Sequence, residues 1–300
     1  MKTVSLSSPP SILPLYARAA APMVPGASLL PFIPGGGGEI PEIELELAAV
    51  KTDPGALAAY AKVCGFALRD HLPATYPHVL AFPLQMAVMA DGSFPFGAVG
   101  LVHVENTIGQ RRPIAVGEEL TICVRPTKLK PHPKGQTFTL QTVALSGEEI
   151  VWDETSTFLR RGKPAENAET TAMREETRSQ PEDALPEDAP VSAEWRLGGD
   201  LGRRYGSVSG DRNPIHMHSL TAKPLGFPAA IAHGMWTKAR CLAALESQLP
   251  DAFSVEVRFR KPILLPARVE FAEAREGEDK LAFAVRDAKR QTPHLDGRIK

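Results

Sequence analysis

The 300-residue sequence predicts an α+β chain made of two copies of one fold. Three observations carry that reading. Short segments recur in the same order at nearly constant spacing, period-2 apolar alternation is interspersed with helical stretches, and an acidic, proline-rich stretch separates the halves.

The elements follow in chain order. Residues 1–38 are rich in Pro and Gly, end in Gly35 to Gly38, and read as a lead-in. Lys2 and the small residues Ala17, Ala19, Ala20 and Ala21 faintly suggest a signal peptide. Arg18 and the prolines 9, 10, 14 and 22 argue against secretion, so a cytoplasmic location is expected. Ile43, Leu45 and Leu47 alternate with glutamates, as in a half-buried strand. Asp53-Pro54 can cap and start a helix, and a second helix is expected over about Val79 to Met89. Gly97 to Arg125 and Gln136 to Arg160 read as strands. The domain limits expected are 39–162 for the first copy, 163–190 for the linker and 191–300 for the second copy. The linker holds eight acidic residues and four prolines but one Leu and one Met, too little apolar surface to offset its ordering entropy.

Composition narrows the function. The net charge of −1 provides no global field to hold nucleic acid or an anionic membrane, so neither partner is expected. No run of 18 apolar residues is present to span a bilayer. Cys64, Cys123 and Cys241 are odd in number and far apart. They exclude a CxxC metal site and read as free, buried thiols.

The repeat is the most informative feature. Tyr60 to Phe66 matches Tyr205 to Asp211 at an offset of 145. Tyr76 to Leu84 matches Phe227 to Met235 at an offset of 151. Arg111 to Ile114 matches Arg260 to Ile263 at an offset of 149. The differences point to chemistry. Phe66 stands where the second copy has Asp211, and Phe82-Pro83 stands where it has His233-Gly234. Pro83 has no amide N–H to donate. Chemistry is therefore expected on the second half.

The dense run is Ser209-Gly210-Asp211-Arg212-Asn213-Pro214-Ile215-His216, followed by Ile231-Ala232-His233-Gly234-Met235. The Asn-Pro step favours a turn, which can aim Asp211 and His216 at one point as an acid/base pair working near neutral pH. The Gly234 amide, at the start of an apolar helical stretch, suits an anionic oxygen. Asp211, His216 and Gly234 are the candidate catalytic groups. Asn213, His233, Ser209 and His78 are the candidate substrate contacts, with Asn213 also suited to holding the turn. Arg258, Arg260 and Lys261 could meet a phosphate or form a solvated strand face.

These motifs resemble the hydratase 2 motif of the MaoC-like dehydratases and (R)-specific enoyl thioester hydratases, the double-hotdog type found in mycobacterial-type (3R)-hydroxyacyl-ACP dehydratases. The tail agrees, with Phe259 to Pro266 and Pro293 to Gly297. The resemblance covers roughly 40–160 and 193–298. It implies two helix-wrapping antiparallel sheets in one chain, the first hotdog degenerate and the second catalytic. It also implies a water activated by Asp211 and His216, a thioester carbonyl polarised by Gly234, and reversible hydration of trans-2-enoyl thioesters to (3R)-3-hydroxyacyl thioesters. No metal or other cofactor is implied. The implied partners are an acyl-CoA or acyl-ACP substrate and an acyl carrier protein. The chain could act as a monomeric pseudo-dimer or as a homodimer. His218 stands where many members of the family carry an acidic residue. Two rival readings remain: a hotdog acyl thioesterase, and a non-catalytic acyl-thioester-binding subunit.

Overall fold

The computed structural model describes residues 2–20, 38–98, 100–162, 185, 189–277 and 280–300. Most of the expected linker lies outside the described residues. By contacts the chain falls into two compact units, one of residues 1–52, 77–103 and 117–179, the other of residues 53–76, 104–116 and 180–300.

The first unit is a sheet with a helix against it. Its strands are β1 (Lys2–Leu6), β2 (Ile43–Val50), β4 (Leu120–Pro126), β5 (Lys130–His132), β6 (Gly135–Ser146) and β7 (Glu149–Arg161). They lie in the order β1-β2-β4-β6-β7, with β5 on β6. All these pairings are antiparallel except β1–β2. The expected lead-in thus carries a strand, and also a helix, α1 (Ile12–Ala20). The long helix α3 (Tyr76–Met89) begins three residues before the sequence suggested and runs through Pro83. The buried carboxylate of Glu154 on β7 accepts from His78 Nδ1–H (2.9 Å) and from Gln85 Nε2–H (2.9 Å), both on α3. Burying that carboxylate is tolerable because both partners donate to it.

The second unit repeats the plan. Strands β3 (Val102–Gln110), β9 (Phe253–Phe259), β12 (Pro293–Ile299), β11 (Leu281–Asp287), β10 (Ala267–Arg275) and β8 (Val191–Leu197) pair antiparallel in that order. Val255 and Val257 alternate with Glu256 and Arg258, the half-buried pattern of a strand with one face on a core. Helix α7 (Gly234–Leu245) supplies Met235, Trp236, Ala239 and Leu242 to that core.

Helix α2 (Pro54–Cys64) belongs to this unit. As the sequence suggests, Asp53 caps it by accepting from the Ala56 amide at 2.7 Å. It packs on its repeat counterpart α4 (Leu201–Ser209), with the rings of Tyr60 and Tyr205 6.2 Å apart. Both helices end on a left-handed glycine, Gly65 (φ 86°) and Gly210 (φ 77°).

The register of β3 on β9 carries the repeat to atomic detail. Thr107 pairs with Glu256, and these two residues are equivalent at the repeat's offset of 149. Fully buried Lys238 on α7 donates to the carbonyls of Asn106 (3.2 Å) and Val255 (3.1 Å), which are also equivalent residues.

Among the described residues no helix is long and apolar enough to cross a membrane. Cys64 and Cys241 are buried, but Cys123, within β4, is only half-buried, with its thiol beside Glu46. Burial pushes the Cys64 thiol up to about 12 and Cys123 up to about 11, so both are protonated and unreactive near neutral pH.

Candidate active site

The site is built on α4, the turn that follows it, and the start of α7. Gly210 ends α4 in a left-handed conformation and releases the chain into the turn. Ser209 Oγ donates to the Tyr205 carbonyl at 2.9 Å and accepts from the Asp211 amide at 3.2 Å. Its hydroxyl therefore fastens the turn to the helix. Asp211 Oδ1 then accepts from the Asn213 amide at 3.1 Å, an Asx-type turn that fixes the carboxylate.

Sequence reasoning expected a turn through His216. The structure instead starts a one-turn helix, α5 (Pro214–Met217), with Asn213 as its N-cap and Pro214 at its first position. Proline's missing N–H costs nothing there, because that amide has no intrahelical acceptor. Asn213 Oδ1 accepts from the Ile215 amide at 3.4 Å. His218 caps the next short helix, α6 (Ser219–Ala222), by accepting from the Leu220 amide at 3.2 Å.

Two glycines that the sequence reading did not single out as functional make the close approach feasible. A Cβ at Gly202 would lie within 1.9 Å of the His216 carbonyl oxygen, and one at Gly206 within 2.7 Å of the Asp211 carbonyl oxygen. Four apart, they share one face of α4, against which the backbones of both candidate catalytic residues rest. The G-x-x-x-G spacing was the available signal.

His216 is buried, and its Nδ1 lies 2.8 Å from the Ile231 carbonyl. A carbonyl only accepts, so Nδ1 carries the proton and Nε2 is the bare, basic nitrogen. Desolvation pushes the His216 pKa below the usual histidine value, partly opposed by the Asp211 charge and the bond to Ile231. His216 is therefore a neutral base near neutral pH. His233 stacks on it, with ring centroids 3.6 Å apart and planes at 26°.

Gly234 follows His233 and opens α7. Amides of a helix's first turn have no intrahelical partner and sit at its positive end. A Cβ at Gly234 would fall 2.9 Å from the Phe259 ring, so this position has no room for a side chain. Asp211 and Gly234 are half-buried where His216 and His233 are buried, so they are the more accessible groups of the cluster.

The structure thus brings Ser209, Asp211, Asn213, His216, His233 and Gly234 together in one unit. His78 belongs to the other unit, where Glu154 engages its Nδ1. Arg258 and Arg260 are held in ion pairs with Glu105 and Asp296.

Donor atoms of Asp211, His216 and His233 lie within 4.8 Å of one another. A metal needs lone pairs that converge on one point at about 2.0–2.1 Å. Here the two imidazoles stack face to face, with ring planes at 26°, so their in-plane lone pairs run side by side rather than converging on one point.

Two helix-and-sheet copies in one chain, with Asp211, His216 and His233 gathered beside the start of one copy's long helix, fit a double-hotdog fold. Comparison with known proteins agrees. Residues 184–296 match the MaoC like domain. The chain is 37% identical over 291 residues to 3-hydroxyacyl-thioester dehydratase X of Mycobacterium tuberculosis, covering 97% of this chain and 98% of the relative. The crystal structure of HtdX from the same organism superposes with a TM-score of 0.73 at 36% identity, over 85% of this chain and 98% of that one. A second M. tuberculosis protein, described as a double hotdog, shares the fold at a TM-score of 0.54 and 14% identity, over 88% of this chain and 94% of that one. The chain belongs to the MaoC-like dehydratase family, and it is a carbon–oxygen lyase.

Proposed function

We propose that this enzyme catalyses the reversible hydration of trans-2-enoyl thioesters to (3R)-3-hydroxyacyl thioesters, carried on coenzyme A or an acyl carrier protein. One observation carries the reading. Asp211 and the bare Nε2 side of His216 share a site with the N-terminus of α7, so an acid/base pair stands beside an oxyanion donor.

In the hydration direction, water oxygen bonds to C3 and C2 takes a proton. Asp211 and His216 remove one proton from the water and deliver one to C2. The electron pair displaced from the double bond passes to the thioester oxygen, where the Gly234 N–H holds the enolate. Dehydration is the reverse. Asn213 and Ser209 hold the turn, and His78 and α3 belong to the degenerate first hotdog. Acyl-thioester relatives support this substrate class.

The test follows loss of the conjugated enoyl absorbance with trans-2-enoyl-CoA and with the matching carrier-protein thioester, then resolves the product's C3 configuration. Turnover to the (3R) product on either carrier is expected. Turnover to the (3S) product, or release of free thiol without a hydroxyacyl product, overturns the reading.

A further inference from the structure

His233 touches each group assigned above to the reaction, yet no step uses it. Its side chain is 2% exposed. Nε2 lies 3.0 Å from the Asp211 main-chain carbonyl and 3.7 Å from that residue's carboxylate. The carbonyl can only accept, so Nε2 carries the proton. The ring lies flat on His216, and the peptide bond leads directly into Gly234. Its own carbonyl accepts from the amide and hydroxyl of Thr237, both at 3.1 Å, which ties the residue to the first turn of α7.

One atom stands out. With the proton on Nε2, Nδ1 is a bare acceptor, and it is buried with no hydrogen-bond partner among the described residues. Such an orphan costs stability that a phenyl ring would not lose. Packing alone therefore does not explain an imidazole here.

We propose that His233 is a positioning residue of this site: an imidazole that holds Asp211 through its main chain and provides the flat face on which His216 is seated. The inference rests on the hydration reading above. The groups that face it are Asp211 from the turn, His216 from α5, Tyr205 from α4 (ring centroids 4.8 Å) and Thr237 from α7. Burial, reinforced by His216, pushes its pKa down to about 3. It therefore stays uncharged when His216 takes up a proton. A second positive charge 3.6 Å away would oppose that proton strongly in a dry site.

Two variants separate ring from donor. His233→Phe keeps a flat buried face and cannot donate to Asp211. His233→Gln loses the face but places an amide N–H near the position of Nε2. The expected result is a fall in kcat of about 10- to 100-fold in His233→Phe, the effect of a misplaced catalytic group, with KM changed much less and the pH profile of kcat displaced. His233→Gln is expected to recover at least half of that loss on a logarithmic scale. A His233→Phe enzyme within twofold of wild type in kcat, with a superimposable pH profile, overturns the proposal.

A second measurement needs neither substrate nor a folded variant. Long-range 1H–15N spectra of the wild type should show His233 as the neutral Nε2–H tautomer from pH 5 to 9, and His216 as the Nδ1–H tautomer. A His233 that titrates within that range, or that protonates on Nδ1, overturns the proposal even if the hydration reading stands. Absence of enoyl thioester turnover in the wild type would sink the hydration reading and leave this tautomer test intact.

Discussion

A Cβ on Gly234 would lie 2.9 Å from Cε1 of Phe259, the last residue of β9. The aromatic ring thus packs against the start of α7 and leaves no room for a side chain at Gly234. Gly234→Ala must push Phe259 or the helix start by a few tenths of an ångström. It is expected to cost about 1–3 kcal/mol of stability, as overpacking does. Turnover should fall by about 10- to 100-fold, short of the full loss of one oxyanion donor. Adding Phe259→Leu should restore part of both. Steady-state kinetics and urea melts of both variants check this, and an unimpaired Gly234→Ala enzyme would show that the Phe259 contact does not set the position of this amide.

Asp211→Asn and His216→Gln each remove one member of the proposed acid/base pair. Turnover is expected to fall about 10²- to 10⁴-fold in either. Asp211 is half-buried on a turn, so its variant should melt near the wild-type temperature. The pH profile adds a sign. Desolvation depresses the His216 pKa, so the acid limb of kcat/KM should lie below 6.5. The Asp211 charge opposes that depression, so the residual activity of Asp211→Asn should have its acid limb at still lower pH.

Stability should fall with acid. His216 and His233 are neutral when folded and have depressed values, His233 about 3. Unfolded histidines bind protons below about 6.5, so the unfolded state takes up more protons as the pH drops. This contribution is fully present above about 6.5 and is lost progressively as pH falls toward the folded value, with a slope of up to about 1.4 kcal/mol per pH unit per histidine. Urea melts between pH 7.5 and 4.5 should show a shallower loss in His233→Phe than in wild type. Equal slopes would mean that His233 is not held neutral.

Lys238 is fully buried and donates to main-chain oxygens of two repeat-equivalent residues, Asn106 and Val255. Lys238→Met keeps the volume but removes these hydrogen bonds. A loss of about 1–3 kcal/mol is expected, the cost of losing buried hydrogen bonds from a charged donor, with KM nearly unchanged. Denaturant melts and substrate titrations separate the two effects.

Much of this was legible in the sequence because repetition leaves a trace that single motifs do not. Tyr60 and Tyr205, read as equivalents, stand buried on paired helices, and the offset of 149 reappears as the Thr107–Glu256 register. The capping signals at Asp53-Pro54 were equally direct. What escaped depends on contacts between distant segments. Nothing local says that Phe259 covers Gly234, that the Ile231 carbonyl sets the His216 tautomer, or that two imidazoles stack. His216 was placed on a turn because Asn-Pro breaks a helix that precedes it, yet the same dipeptide starts the one that follows. His78 was counted among the candidate substrate contacts, while its Glu154 partner lies 76 residues away.

The most direct test of the central claim is oxygen labelling. A trans-2-enoyl thioester is incubated with enzyme in 18O-water, and the label is located by mass spectrometry. Water activated by Asp211 and His216 should place 18O on the C3 hydroxyl of an intact thioester, and Asp211→Asn should abolish most of that incorporation. Label in a free carboxylate, with free thiol released, would contradict the account.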